Sequence, residues 1–434
     1  MATDAKDETR ALAAFIDRSP SPFHACEALS NELEAAGFRR LFEAQAWPKG
    51  PGSFFVRRSG SLMAWSVPEG ASASLPFHVV GAHTDSPNLR IKPRPEVSRA
   101  GYRQLGVEVY GGVLLNSWLD RDLGLSGRAF VRVAQGIEER LFRIDRPILR
   151  IPQLAIHLNR EITTEGLHLN PQEHLAPIYG LEGWGSASGF RDLVAQALGT
   201  EPSDVLSWDA MCHDTAPSGL VGAREEFLSA PRLDDLACCF AGLRALALHG
   251  RKGGSARAVS ALVLFDHEEV GSGTSRGAES PFLAACLERI QAGLGGGREE
   301  LHRSIAASVC VSADMAHATH PNYREKHDPE HWIQVNGGPV IKVNTNQRYA
   351  SEAETEAIFQ DACERAGVPF QKYSHRNDLA CGSTIGPLTA ANLGMRTVDV
   401  GSPQLAMHSV RELCGALDPG YLVRALTAFF GRDA

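Results

Sequence analysis

Four short, mostly apolar runs, each followed by acidic or histidine side chains, constrain this chain more than any other feature. They fall at 77–82, 259–265, 308–311 and 398–400. Runs of this length without polar alternation read as strands covered on both faces. Helical periods stand around 10–17, 233–249, 282–294, 352–366 and 419–430, with further strand-like runs at 53–56, 62–67 and 340–343. Short strands alternating with helices predict an α/β fold, a three-layer α/β/α domain with a largely parallel sheet. Between about 90 and 225 the texture changes. Gly106-Val-Glu-Val-Tyr-Gly111 and Gly127-Arg-Ala-Phe-Val-Arg-Val-Ala134 are β-like and separated by turn signals. A chain of 434 residues also exceeds the ~250–300 that one core usually serves. The simplest organisation is a discontinuous domain, 1–92 and 227–434, interrupted by a β-rich domain at 93–226.

Charge and cysteine usage narrow the partners. The net charge of −8 provides no basic surface for nucleic acid or anionic lipid. No stretch approaches the ~20 apolar residues of a membrane helix, and the charged start lacks the apolar region of a signal peptide. The nine cysteines sit mostly among apolar neighbours, as in Cys238-Cys239-Phe240, and read as reduced buried thiols. The expectation is a soluble, cytoplasmic protein with no nucleic-acid or membrane partner.

Ligands of open α/β sheets bind outside the carboxyl ends of the strands, so the polar residues just beyond the apolar runs are the candidates for chemistry. His83 and Asp85 close the first run. Asp266-His-Glu-Glu269 closes the second, Asp314 follows the third, and His408 follows the fourth and its turn. Asp234 stands at a helix start. Two histidines and three carboxylates suit two zinc-like ions sharing one carboxylate, and manganese or cobalt is also compatible with these donors. Such a pair needs a base that is not itself a ligand, a role the doublet Glu268-Glu269 can fill beside a ligating neighbour. Asp85, two residues after His83, can orient the imidazole. Each position also has a structural alternative: a surface or core histidine, a solvated acidic face, an N-cap at Asp234. Spacing alone leaves a metallohydrolase and these alternatives evenly balanced.

At these residues the sequence closely resembles the aspartyl aminopeptidase family, peptidase family M18. The matching segments run in order through Gly81-Ala-His-Thr-Asp-Ser-Pro87, Arg232-Leu-Asp-Asp-Leu236, Asp266-His-Glu-Glu-Val-Gly-Ser272 and Ser312-Ala-Asp-Met-Ala-His-Ala318. They continue through Gly338-Pro-Val-Ile-Lys-Val-Asn344, Gln347-Arg-Tyr-Ala-Ser351 and Gly401-Ser-Pro-Gln-Leu-Ala-Met-His-Ser409. The resemblance implies a metallo-aminopeptidase with two divalent ions. His83 and Asp314 would complete one site, Glu269 and His408 the other, with Asp234 bridging, Glu268 as base and Asp85 orienting His83. It further implies that His317 contacts substrate and steadies the oxyanion, that Lys342 and Tyr349 line the pocket for the N-terminal side chain, and that His157 enters a neighbouring subunit's site. The β-rich domain would then be a dimerisation domain, and dimers would build a homo-oligomer, a hollow dodecamer restricted to short peptide substrates. A lysine in the pocket favours N-terminal Asp or Glu. The alternatives are a neutral, apolar preference, a related two-metal deacylase or carboxypeptidase, and an inactive peptide-binding scaffold. His213, His320 and Cys381 take no role in this reading.

Overall fold

The computed structural model describes residues 2–184, 189–251 and 257–432. The chain divides into two compact units, one of 1–85, 218–407 and 412–434, the other of 86–217 and 408–411; the texture of the sequence suggested divisions at 92 and 226.

A nine-stranded mixed sheet forms the centre of the larger unit. Its order is Arg39–Leu41, Gly52–Arg58, Ser61–Val67, Val259–Phe265, Phe77–His83, Val309–Ala313, Arg396–Gly401, Val340–Val343 and Gln371–Ser374. The four anticipated apolar runs are the four adjacent central strands, and all are parallel. Period-two alternation sends their side chains into two different cores. Val80, Ala82, Leu262, Leu264, Val311 and Val398 pack with helices Ala2–Arg18, Pro22–Ala35, Leu233–Arg251, Ala353–Ala366 and Asp418–Phe430. Phe77, Val79, Val259, Val263 and Cys310 pack instead with Phe282–Gly293, Arg298–Ala307 and Ile385–Leu393. Burial on both faces is why these runs show no polar alternation. The α/β/α layering is therefore the one the sequence predicts.

A second, five-stranded sheet runs Gly219–Val221, Phe227–Ala230, Glu412–Gly415, Pro403–Leu405, Ala316–His317. It carries His317 on its edge strand. The smaller unit is a six-stranded antiparallel sheet ordered Gly136–Leu149, Leu123–Val133, Val205–Asp214, Asn88–Arg99, Tyr102–Tyr110, Ile178–Leu181, with helix Phe190–Leu198. Leu89, Leu105, Leu125, Val131, Phe142 and Phe190 are among the residues of its separate core. Among the described residues, no helix is long and apolar enough to cross a membrane.

Candidate metal centre

The parallel register brings chemistry to one edge. His83 pairs with Phe265, the residue before Asp266-His-Glu-Glu269, and Ala313 pairs with Val400 just before Asp314. Helix Leu233–Arg251 supplies Asp234 and Asp235, whose backbone angles are non-helical, so the two residues form a turn ahead of the helix body. The expected helix start at Asp234 is thus a bend that presents carboxylates.

His83 is 1% exposed. Its Nε2 lies 3.2 Å from Asp234 Oδ1 and 3.8 Å from Asp314 Oδ1. Donor atoms of His83, Asp234, Asp235 and Asp314 all lie within 4.8 Å of one another, as do those of His83, Glu268 and Glu269. A tetrahedral ion with ligands at about 2.0–2.1 Å separates neighbouring donors by roughly 3.3 Å, close to the His83–Asp234 spacing. The electrostatics also fit a cation. Burial, reinforced by the Asp314, Asp85 and Asp234 carboxylates against the pull of His83, pushes Glu268 up to about 8. Burial and neighbouring carboxylates hold Asp235 and Glu269 well above the usual range. Burial disfavours charge on His83, yet Asp235, Asp234, Asp314 and Asp85 hold it well above an ordinary imidazole. Carboxylates crowded in this way are what a divalent ion neutralises.

The main chain of these residues is held by buried side chains. The His83 N–H donates to Asp235 Oδ2 at 3.1 Å, and Cys239 Sγ lies 2.9 Å from the His83 carbonyl oxygen. His83 Nδ1 is 3.0 Å from the Asp85 carbonyl oxygen and 3.5 Å from its carboxylate. The Asp85 carboxylate accepts from the N–H groups of Glu268 (3.1 Å) and Glu269 (3.2 Å). Lys342, 2% exposed, donates through Nζ to the carbonyls of Asp314 (2.9 Å) and Met315 (3.2 Å). Burial works against its charge, but Asp314 and Asp399 hold its pKa above the ordinary lysine range. The ammonium also lies 5.2 Å from the Tyr349 ring centroid. Tyr349 is buried beside Tyr373 and Ile333.

His317 is reachable from solvent although protein crowds it on most sides, with Tyr373 edge-on at 6.3 Å. Burial and the nearby Lys342 push its pKa down to about 4, so the ring is neutral at pH 7. His408 lies in the short return segment assigned to the smaller unit. Its Nδ1 is 2.9 Å from the Gly112 carbonyl oxygen. His157 sits in the exposed turn Ile156–Leu158 of the same unit.

Sequence reasoning assigned no role to Asp235, Cys239 or Glu412. The doubled Asp234-Asp235 was the one signal available for the first. The other two act across 156 and 178 residues of chain, with no local pattern to mark them.

A histidine among carboxylates at the carboxyl edge of a parallel sheet defines a metallohydrolase-type centre. The sequence matches, over residues 15–430, the profile described as Aminopeptidase I zinc metalloprotease (M18). It is 51% identical over 426 residues to a probable M18 family aminopeptidase 2 of Mycobacterium bovis, covering 97% of this chain and 98% of that one. A chain in the cryo-EM structure of the Ape4 and Nbr1 complex superposes with a TM-score of 0.95 at 37% identity, covering 99% of this chain and 86% of that one. The S. cerevesiae mApe1 dodecamer gives a TM-score of 0.86 at 28% identity, covering 98% and 97%. The chain belongs to the M18 family of aminopeptidases and is a metallopeptidase that hydrolyses peptide bonds.

Proposed function

We propose that the protein is a two-metal aminopeptidase that releases acidic residues from the N-termini of short peptides. The observation that carries this reading is the convergence of His83, Asp234, Asp314, Glu268 and Glu269 at one sheet edge. Zinc is the first choice, with manganese or cobalt compatible with the same donors. By the family resemblance, His83 and Asp314 would hold one ion and Glu269 and His408 the other, with Asp234 shared between them. When bound, such a pair polarises the scissile carbonyl and acidifies a water. Glu268, held at its main chain by Asp85, takes a proton from the attacking water and returns it to the leaving amine. His317 steadies the oxyanion as a neutral donor, and Asp85, through its carbonyl and carboxylate, orients His83.

Lys342 donates to two carbonyls and lies 3.7 Å from Asp314 Oδ2, and in this reading its positive charge attracts an Asp or Glu side chain beside Tyr349. A second reading has its own support. The engagement of Lys342 by two carbonyls, together with the apolar wall of Tyr349, Tyr373 and Ile333, favours a neutral N-terminal residue. Comparing Asp-, Glu- and Leu-anilides separates the two, and faster Leu cleavage would reject the acidic preference. Acetylating the substrate amine should abolish turnover; retained cleavage would point to a deacylase or carboxypeptidase instead.

The smaller unit serves as a dimerisation domain. Leu154, Ile156 and Leu158 are exposed on either side of His157, Leu158 at 75%. An apolar turn of this kind suits burial against a second copy, where His157 reaches that copy's substrate site. By analogy with the dodecameric mApe1, dimers assemble into a dodecamer in the cytoplasm.

A further inference from the structure

We infer that Glu412 is a positioning residue for the metal centre: its buried carboxylate holds the main-chain N–H of Asp234 and so fixes the side chain that bridges the two ions. The inference rests on the two-ion reading above.

Glu412 begins the middle strand of the five-stranded sheet, opposite Ala230 in its neighbour, and is 2% exposed. Its Oε2 accepts from Asp234 N–H at 3.0 Å. Gln404 Nε2 approaches its other oxygen at 3.4 Å. Asp234 lies in the non-helical turn ahead of the helix body. The helix ladder therefore does not set the direction of its Cα–Cβ bond; the hydrogen bond to Glu412 does. A charged acceptor makes that bond roughly twice as strong as a neutral one. The same device recurs around the site, where Asp235 holds the His83 N–H, Asp85 the N–H groups of Glu268 and Glu269, and Lys342 the Asp314 carbonyl. Glu412 completes this frame at the one ligand common to both ions. Partners that orient ligands from behind tune metal affinity by about 10–100-fold.

The test measures zinc affinity of the metal-free full chain by competition with a chromogenic chelator. It also records the visible absorption of the cobalt-loaded protein. Glu412→Gln keeps an acceptor for Asp234 N–H, and Gln404 accommodates the new amide by flipping, since its buried Oε1 makes no hydrogen bond. This variant should stay within about threefold of the parent affinity, with the cobalt spectrum unchanged. Glu412→Asp keeps the charge but withdraws it by one methylene. It should keep its fold by circular dichroism, lose about 10–100-fold in zinc affinity and shift the cobalt spectrum. A folded Glu412→Asp protein that binds zinc as tightly as the parent would overturn the inference. So would a Glu412→Gln protein that loses as much as the Asp variant. If Glu412→Asp fails to fold, Gln404→Leu removes the brace on Glu412 while leaving the carboxylate, and should weaken zinc about threefold or more; unchanged affinity there rejects the role. The parent's own stoichiometry separates the two levels, because a parent that binds fewer than two ions fails the two-ion reading whatever the variants do.

Discussion

Replacing Lys342 with methionine tests the pocket and the frame of the site together. Methionine fills a similar volume but removes the ammonium that donates to the Asp314 and Met315 carbonyls at 2.9 and 3.2 Å and faces the Tyr349 ring at 5.2 Å. Hydrogen bonds from a charged donor contribute about 1.5–3 kcal/mol each, so the gross loss is roughly 3–6 kcal/mol. Part is recovered, because a buried ammonium carries a desolvation cost of several kcal/mol that the thioether lacks. The net destabilisation should be about 1–3 kcal/mol, a fall of about 2–6 °C in the unfolding midpoint of the larger unit. The Asp-anilide to Leu-anilide ratio of kcat/KM should fall at least tenfold, since about 1.4 kcal/mol of lost charge recognition suffices for that. Differential scanning calorimetry and the two anilide assays read both effects. An unchanged midpoint would refute the grip on the Asp314 segment. A lowered midpoint with an unchanged ratio would leave Lys342 as a purely structural clamp and favour the neutral-residue reading.

Glu268→Gln should retain its zinc and fold while kcat falls about 10²–10⁴-fold; turnover at the parent rate would remove Glu268 as the base. His157→Ala should lower kcat by about 10²-fold with zinc content and unfolding midpoint unchanged, and a variant of undiminished activity would show that His157 plays no part at any substrate site. Asp418, buried at the start of its helix, accepts from the N–H groups of Asn336 and Gly338, yet burial pushes it up from 3.8 to about 7. The folded state therefore retains a proton that the unfolded chain releases between those values, so stability falls as pH rises from about 4 to about 7 and then levels. Asp418→Asn should flatten that fall, and an identical stability–pH profile for variant and parent would contradict it.

How far the sequence discloses this structure depends on how local each signal is. The central strands were legible because burial on both faces leaves a mostly apolar run, and their polar successors mark the ligand edge. Helix Ile385–Leu393 was not anticipated, since Ile-Gly-Pro-Leu-Thr-Ala-Ala-Asn-Leu places Gly and Pro inside and lacks a polar face. Pro22–Ala35 carried a usable cue in its N-cap Ser21 and the proline that follows, whose fixed φ suits a first helical turn. The edge strands Arg39–Leu41 and Gln371–Ser374 are short and polar, so they lack the strand pattern. Within the site, residue types and order marked His83, Asp234, Glu268, Glu269 and Asp314. They did not mark the side chains that hold those residues in place. Glu412 and Cys239 look like any acid in a strand and any thiol in a helix until the fold brings them behind Asp234 and His83.

The central claim is that two ions share Asp234, and a zinc titration of the metal-free protein tests it most directly. The parent chain should bind two equivalents, with peptidase activity reaching its full value as the second is taken up, and Asp234→Ala should bind no more than one. A parent that saturates at one equivalent, or an Asp234→Ala protein that still binds two, would contradict the claim.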